Sequence, residues 1–453
     1  MTGPGRPAVA ARGAVTDART AAAEILADLR SGDLLDSSFE RRTTRLEPRD
    51  RRWTRELVYG MLRRRSWLDA LLAERVSGGL ARLDFDVIDL LRLGAYQLLA
   101  MGSVPPYAAI GQTVEVVKKR HGIGASKLAN AVLRRLDRER ATLRVAPPTD
   151  VIDALALEYS HPRWIVARWL ARWGEAETRK LLAANNGEAP LVARPYHVVR
   201  EQLEAMFESA GVETSEAPLV TDSLVLLSGV GSMTELGAFK QGLFHLQDPA
   251  STLVTRYASV PTGATVADLC AAPGGKALEL ARTAGTVFAG DLSRNRLLRV
   301  RENVQRLDAQ NVIPFVGDAL HPALTGMDAV LVDVPCTGTG TFRRHPDARW
   351  RLKASDLAVL PTLQRNILRA AAPVVRPGGL LIYSTCSLEL EENDEQVATF
   401  LSEHPEWRLE APPEGVVPPE TMDRGLLRVL PQQHGTDGAF AARFRRPRVG
   451  AAA

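Results

Sequence analysis

Cysteine is scarce: the chain of 453 residues holds three, Cys270, Cys336 and Cys386. An odd, widely spaced set excludes a disulfide framework and points to a reducing compartment. No two of them stand at zinc-ligand spacing, so no metal is expected. Long apolar runs are missing as well. No stretch approaches the ~20 apolar residues that a membrane span needs. Residues 1–14 mix Gly, Pro, Arg and Ala without an apolar centre, which excludes a secretory signal and reads as a short disordered tail. Charge of one sign is not in great excess: 57 basic and 53 acidic residues leave a net +4, mildly basic and permissive of nucleic acid. The expectation is a cytoplasmic monomer with no membrane partner. What is present, 45% hydrophobic and 24% charged residues over this length, suits two or three globular domains.

Residues 15–145 carry helical periodicity. Ala22, Ile25, Leu26 and Leu29 recur at helix spacing, as do Leu57, Met61, Leu68, Leu71 and Leu72. Asp84 precedes a helix holding Val87, Leu90, Leu91 and Leu98, which Val104-Pro105-Pro106 breaks. Two more helices are predicted, around Ile110–Lys119 and Ser126–Leu136. Arginine is dense between Arg41 and Arg65, as either a phosphate-binding cluster or a solvated helix face. Trp53 and Trp67 among them read as core rather than stacking platforms.

Leu93-Gly94-Ala95-Tyr96-Gln97-Leu98-Leu99, then Val104-Pro105 with Ala108-Ala109-Ile110, then Ala129-Asn130-Ala131-Val132-Leu133-Arg134 resemble the helical NusB-type RNA-binding domain. The resemblance implies contact with RNA or ribonucleoprotein. After the linker Ala146-Pro147-Pro148-Thr149, residues 150–241 read as a small α+β module: helices with Trp164, Trp169 and Trp173, then short strands and one helix, Val198–Ala210.

Residues 242–447 alternate short apolar strands with helices, the pattern of a mainly parallel sheet. Predicted strands are Thr265–Leu269, Thr286–Gly290, Val312–Val316, Ala329–Asp333 and Gly379–Ser384. The first runs into the turn Cys270-Ala271-Ala272-Pro273-Gly274-Gly275-Lys276, whose glycines let a ligand approach backbone N–H groups. Asp291 ends the second strand, where a carboxylate can accept from two ribose hydroxyls. Asp318 follows the third and could meet an adenine amino group. The turn lacks the spaced glycines of a P-loop or a dinucleotide fingerprint, which favours S-adenosylmethionine over ATP or NAD.

The fourth strand ends Asp333-Val334-Pro335-Cys336, and the fifth ends Ser384-Thr385-Cys386-Ser387. Adjacent strand tips would put both thiols in one pocket, with Lys276, Arg343 and Arg344 as candidate positive neighbours. A thiolate beside a methyl donor suits carbon 5 of cytosine: addition at carbon 6 makes the ring enamine-like and able to take a methyl group. Asp333 is placed to assist at the ring nitrogen. The base must be unstacked, as in single-stranded or loop RNA.

Asp268–Lys276, Asp333-Val334-Pro335-Cys336-Thr337-Gly338 and Tyr383-Ser384-Thr385-Cys386-Ser387 together resemble the RNA 5-methylcytosine methyltransferases of the Fmu/Sun/NOL type. This implies a multidomain chain: an all-α NusB-like start, a small α+β module and a C-terminal α/β Rossmann-like class I methyltransferase. It further implies that Cys386 is the nucleophile and that Cys336 assists product release. Cofactor contacts are implied from Cys270–Lys276, Asp291, Asp318 and Asp333, and the implied substrate is 16S ribosomal RNA. Two departures stand out. Val334 replaces a frequent alanine, and Ala193-Arg194-Pro195-Tyr196 replaces an Arg-Val-Asn-like stretch, which puts RNA contact there in doubt. Transfer RNA is the alternative substrate, and a non-catalytic antitermination-type RNA binder the alternative class. Glu302-Asn303-Val304 precedes Pro335-Cys336, the wrong order for a DNA cytosine methyltransferase.

Overall fold

The computed structural model describes residues 15–448; the tail expected at residues 1–14 lies outside the described residues. The chain divides into two compact units, one of residues up to 182 with 345–350, the other of 183–344 with the remainder from 351. No helix among the described residues is long and apolar enough to cross a membrane.

The first unit is helical. Its main helices are Asp17–Arg30, Leu35–Thr43, Pro48–Arg63, Arg65–Ala73, Phe85–Ala100 and Pro106–Arg138. Asp84 caps the fifth by accepting from Asp86 N at 2.7 Å, satisfying one of the free N–H groups of its first turn. The two helices predicted beyond Pro106 abut end to end, broken at Gly122, whose φ of 80° no helix allows. Leu57, Leu68, Leu71, Leu72 and Leu91 are fully buried, and Trp53 and Trp67 pack on the same core, as their spacing suggests. Tyr96 lies over Gly60, where a β-carbon would come within 1.9 Å of the phenol oxygen, and that oxygen reaches Glu56 Oε1 at 2.7 Å. The arginine-rich stretch is partly neutralised: Arg41 pairs with Asp28 and Asp33, Arg42 with Glu24 and Asp28, Arg51 with Glu40. Residues 345–350 belong to this unit, with Trp350 Nε1 donating to the Leu62 carbonyl at 2.9 Å.

The second unit holds two sheets. The smaller comprises β1 (Leu191–Pro195), β2 (Glu213–Ala217), β3 (Val220–Ser228) and β4 (Phe244–Leu246), in the order β2-β3-β1-β4, with every pairing antiparallel. Leu203 and Phe207 of the helix Arg200–Ser209 bury against it, Phe207 edge-on to Phe244 at 5.2 Å.

The larger sheet comprises β5 (Thr265–Asp268), β6 (Thr286–Asp291), β7 (Val312–Val316), β8 (Met327–Asp333), β9 (Val375–Thr385), β10 (Arg408–Leu409), β11 (Met422–Asp423), β12 (Leu426–Val429) and β13 (Ala439–Arg445). Its order is β11-β12-β13-β9-β8-β5-β6-β7, with β10 beside β13. The five predicted strands are the parallel ones. The antiparallel edge β10–β13 has no counterpart in the expectation. Alternate residues of each central strand feed opposite faces. Ala329 and Leu331 of β8 join the core under the helices Pro249–Ala258 and Arg294–Arg306. Val330 and Val332 join the core under Asp356–Ala371 and Asp394–Glu403. Pro377-Gly378-Gly379, just before the predicted strand start, form an irregularity inside β9. Pairing with β8 stops after Met327–Val375 and resumes at Ala329–Leu380, Gly378 taking a φ of 77° between them.

A buried ion pair joins the smaller sheet to the larger one's helix Gly275–Leu280. Arg194 on β1 donates to Glu279 at 2.6 Å, and the two side chains are 4% and 7% exposed. Arg194 is therefore a buried structural charge. Glu279→Ala removes one of that guanidinium's two carboxylate partners, Asp222 at 2.5 Å remaining as the other. It should destabilise the protein by about 1–3 kcal/mol, seen as a lowered urea midpoint at neutral pH.

Candidate functional site

The site grows from one register. Asp333, the last residue of β8, lies opposite Ser384 of β9, and Val334 N donates to the Ser384 carbonyl at 3.0 Å. Both strands then leave the sheet on the same edge, so the residues two and three positions further meet. Cys336 Sγ and Cys386 Sγ stand 3.3 Å apart, both partly exposed. Close backbone packing holds the two loops together. Gly340 N donates to the Cys386 carbonyl at 3.0 Å, and Gly438 N to the Gly340 carbonyl at 2.8 Å. A β-carbon on Gly340 would lie 2.7 Å from Gly438 Cα, so only glycine fits.

Asp333 is held from two sides. Ser384 Oγ donates to Oδ1 and Lys276 Nζ to Oδ2, each at 2.7 Å. Burial disfavours the lysine's charge, but Asp333, Cys386 and Asp268 outweigh it and raise the pKa above the ordinary value. Lys276 is the positive neighbour among the three candidates. Arg343 and Arg344 are engaged by Asp248 and Asp437, at 2.7 to 3.1 Å. The Cys336 thiol is raised well above the usual range by its bond to Cys386, by burial and by the charges of Cys386 and Glu392. Burial first, then Asp268 and Asp333, push the Cys270 thiol up too, which makes it a poor nucleophile.

The glycine turn follows β5 directly. Ala271 N donates to the Gly290 carbonyl at 2.8 Å, and Gly274, with a φ of 107°, starts the helix that carries Lys276. Pro273 follows a cis peptide bond. Asp291, at the tip of β6, accepts from Ser293 N at 2.8 Å and from Ala272 N at 3.3 Å, so it ties the turn to its own strand end. Asp318 is more open, and the Leu320 N–H at 2.9 Å and then His321 hold its carboxyl below the usual range. Leu292 and Val316, beside these two acids, are 72% and 60% exposed. Such bare apolar residues next to strand-tip carboxylates suit a planar heterocycle with polar edges.

Several residues that build the site entered the sequence reading only as motif neighbours, or not at all. Ser384 fixes Asp333. Thr337, Ser387, Gln364 and Glu392 form a buried polar cluster behind the thiols. Thr337 N reaches Glu392 Oε1 at 2.9 Å, Gln364 Nε2 the same oxygen at 2.8 Å, and Thr337 Oγ1 meets Ser387 Oγ at 3.1 Å. The one signal in the sequence is the acidic run after Cys386, of which Glu392 is fully buried. Glu302-Asn303-Val304 lies on the helix Arg294–Arg306 with Glu302 exposed, in keeping with a chance match.

Comparison with known proteins agrees over nearly the whole chain. Residues 259–445 match the model of the family described as 16S rRNA methyltransferase RsmB/F. Residues 16–138 match the NusB family, and 161–232 a RsmF/B-like methyltransferase ferredoxin-like domain. The probable ribosomal RNA small subunit methyltransferase B of Synechocystis sp. is 33% identical over 414 residues, 88% of this chain and 92% of that one. The ribosomal RNA small subunit methyltransferase B of Vibrio cholerae is 34% identical over 443 residues, 93% and 99% of the two chains. Among solved structures, PH0851 superposes with a TM-score of 0.80 at 25% identity, covering 96% of this chain and 99% of its own. A methyltransferase homologue from Pyrococcus horikoshii gives 0.56 at 27% identity, covering 66% of this chain and all of its own.

Asp268 provides a test of the charge balance. Its side chain is fully buried, one oxygen has no hydrogen-bond partner, and burial followed by the charge of Asp333 pushes its pKa up to about 7. A carboxyl raised on folding contributes stability that is complete below its unfolded pKa and lost as pH rises through the folded one. Between about pH 4 and 7 the wild type should lose stability from this group. Asp268→Asn should flatten that part of a plot of denaturation free energy against pH.

Proposed function

Because the chain belongs to the 16S rRNA methyltransferase RsmB/F family, we propose that it methylates carbon 5 of a cytosine in 16S ribosomal RNA through a covalent cysteine adduct. The observation that carries this reading is the pair of partly exposed thiols 3.3 Å apart beside the Lys276–Asp333 ion pair. Residues 15–145 serve as the RNA-contacting helical domain, 150–241 as the connecting module and 242–447 as the transfer domain. The protein works as a cytoplasmic monomer.

Cys386 is the nucleophile. Lys276 lies within electrostatic reach of its sulfur. Sulfur attacks carbon 6 of an unstacked cytosine, and the ring pair shifts so that carbon 5 can bond to the incoming methyl group. Asp333 faces the ring nitrogen, its carboxylate oriented by Ser384 and Lys276. Loss of the carbon 5 proton to a water molecule restores the carbon 5–carbon 6 double bond, and the carbon–sulfur pair returns to Cys386. Cys336, kept as a thiol 3.3 Å away, donates a hydrogen bond to the departing sulfur.

S-adenosylmethionine, when bound, supplies the methyl group. Cys270, Ala271, Ala272, Pro273, Gly274, Gly275 and Lys276 would line its amino-acid end. Asp291 would face the ribose and Asp318 the adenine edge, with Asp333 near the reacting centre. The exposed Leu292 and Val316 between acids support this fit.

Cys386→Ala should abolish both the RNA adduct seen on denaturing gels and methyl transfer to a 16S RNA transcript, by at least roughly 10³-fold. Cys336→Ala should instead accumulate the adduct. Adduct loss confined to Cys336→Ala would overturn the assignment. Bisulfite sequencing of ribosomal and transfer RNA from a deletion strain should reveal one missing 5-methylcytosine in 16S RNA. A loss in transfer RNA alone would reassign the substrate.

A further inference from the structure

Two cysteines 3.3 Å apart on one sheet edge would be interchangeable by position alone; something must make them differ. Glu392 is fully buried, and it brackets Cys336 from both sides. Its Oε1 accepts from Thr337 N, the residue after the cysteine, at 2.9 Å. The same oxygen accepts from Gln364 Nε2 at 2.8 Å, and that amide also donates to the carbonyl of Pro335, the residue before the cysteine, at 2.9 Å. Oε2 accepts from Thr337 Oγ1, which in turn meets Ser387 Oγ, the residue after Cys386, at 3.1 Å. One carboxylate thus spans both cysteine loops from behind, with no hydrogen bond to either sulfur among those the structure forms here.

We propose that Glu392 is a positioning residue that assigns the two thiols their separate roles: it fixes the Cys336 loop against the Cys386 loop, and its negative charge keeps Cys336 in the protonated, donating form. This rests on the two-cysteine reading above. The titratable and charged groups facing Cys336 are Cys386 on its neighbouring loop and Glu392 behind it, with Tyr383 of β9 nearby, its hydroxyl donating to the Glu392 carbonyl at 2.6 Å. Asp333 pairs with Lys276, which interacts electrostatically with Cys386. Burial pushes the Glu392 carboxyl up; once ionised, it is the carboxylate behind Cys336 that disfavours a thiolate there, and Glu392→Gln removes that charge. Glutamine keeps the shape and an acceptor for Thr337.

The test reads each thiol separately. In a Cys386→Ala background, alkylation of Cys336 by iodoacetamide is followed against pH by peptide mass spectrometry. With Glu392 present, the midpoint should lie above the ordinary thiol value of about 8.5. Adding Glu392→Gln should lower it by about one unit, on the order expected for loss of one close charge. Equal midpoints in the two proteins would overturn the proposal. So would a Cys336 midpoint at or below the ordinary value in folded Cys386→Ala, a measurement that stands even where the double variant does not fold. In the otherwise native enzyme, Glu392→Gln should still form the RNA adduct but resolve it more slowly, most of all toward alkaline pH. Equal slowing of formation and resolution at every pH would mark a merely structural residue. Wild-type enzyme forming no adduct would sink the function reading instead, and would leave the thiol titration intact.

Discussion

Parallel pairing of β8 with β9, with Asp333 opposite Ser384, is the constraint from which the rest of the site follows. A shift of one residue would turn every side chain of β9 to the other face of the sheet. Leu380 and Ile382 would then leave the core they share with Leu331, and Ser384 would no longer reach Asp333. The apolar alternation that stabilises the sheet therefore also sets the separation of the two thiols. Packing and chemistry are specified by the same contact. The irregularity at Gly378 matters here, because it absorbs the extra length of β9 before the strand reaches the site.

The site carries more acid than base, and its geometry gives each acid different partners. Asp268, Asp291 and Asp333 stand at the tips of β5, β6 and β8, with Lys276 as the cation that bonds directly to one of them. Lys276 spends its contact on Asp333. Asp291 is compensated by backbone N–H groups and by Arg296 at 3.5 Å. Asp268 has a single backbone donor, at 3.3 Å, and is the one raised toward neutrality. An additional cationic group arriving among these acids would find them already desolvated and pre-aimed, so its binding costs little reorganisation. This is the electrostatic counterpart of the open glycine turn.

Much of this was legible in the chain because the informative residues sit where strands end. Val330, Leu331 and Val332 announce a buried strand, and the next polar residue, Asp333, must then lie at its tip. The same logic located Cys336, Cys386, Asp291 and Asp318. It failed where the partner is distant in sequence and polar. Glu392 is one of several acids after Cys386, and only its contact with Thr337, more than fifty positions away, marks it as interior. Nothing in the stretch around Arg194 announces its partner Glu279, 85 positions away and 2.6 Å distant. The antiparallel edge was missed for another reason: β10, β11 and β12 are two to four residues long, too short for any periodicity to register.

The buried polar cluster explains how a loop this rich in hydroxyls and amides can lie inside the protein. Thr337, Thr385, Ser387, Glu392 and Asn393 are each nearly inaccessible, and unpaired they would each cost free energy on burial. They are paired with one another. Thr385 Oγ1 bonds Asn393 Oδ1 at 2.7 Å, Asn393 Nδ2 bonds the Ser387 carbonyl at 2.8 Å, and Ser387 Oγ receives Glu389 N at 3.0 Å. Such a closed network tolerates little local change, because deleting one member exposes its partners' needs. An apolar packing around two thiols would hold their distance loosely and leave their protonation states alike. A satisfied polar network with one carboxylate at its centre holds the distance and breaks the symmetry together, which is the arrangement that two cysteines with different tasks require.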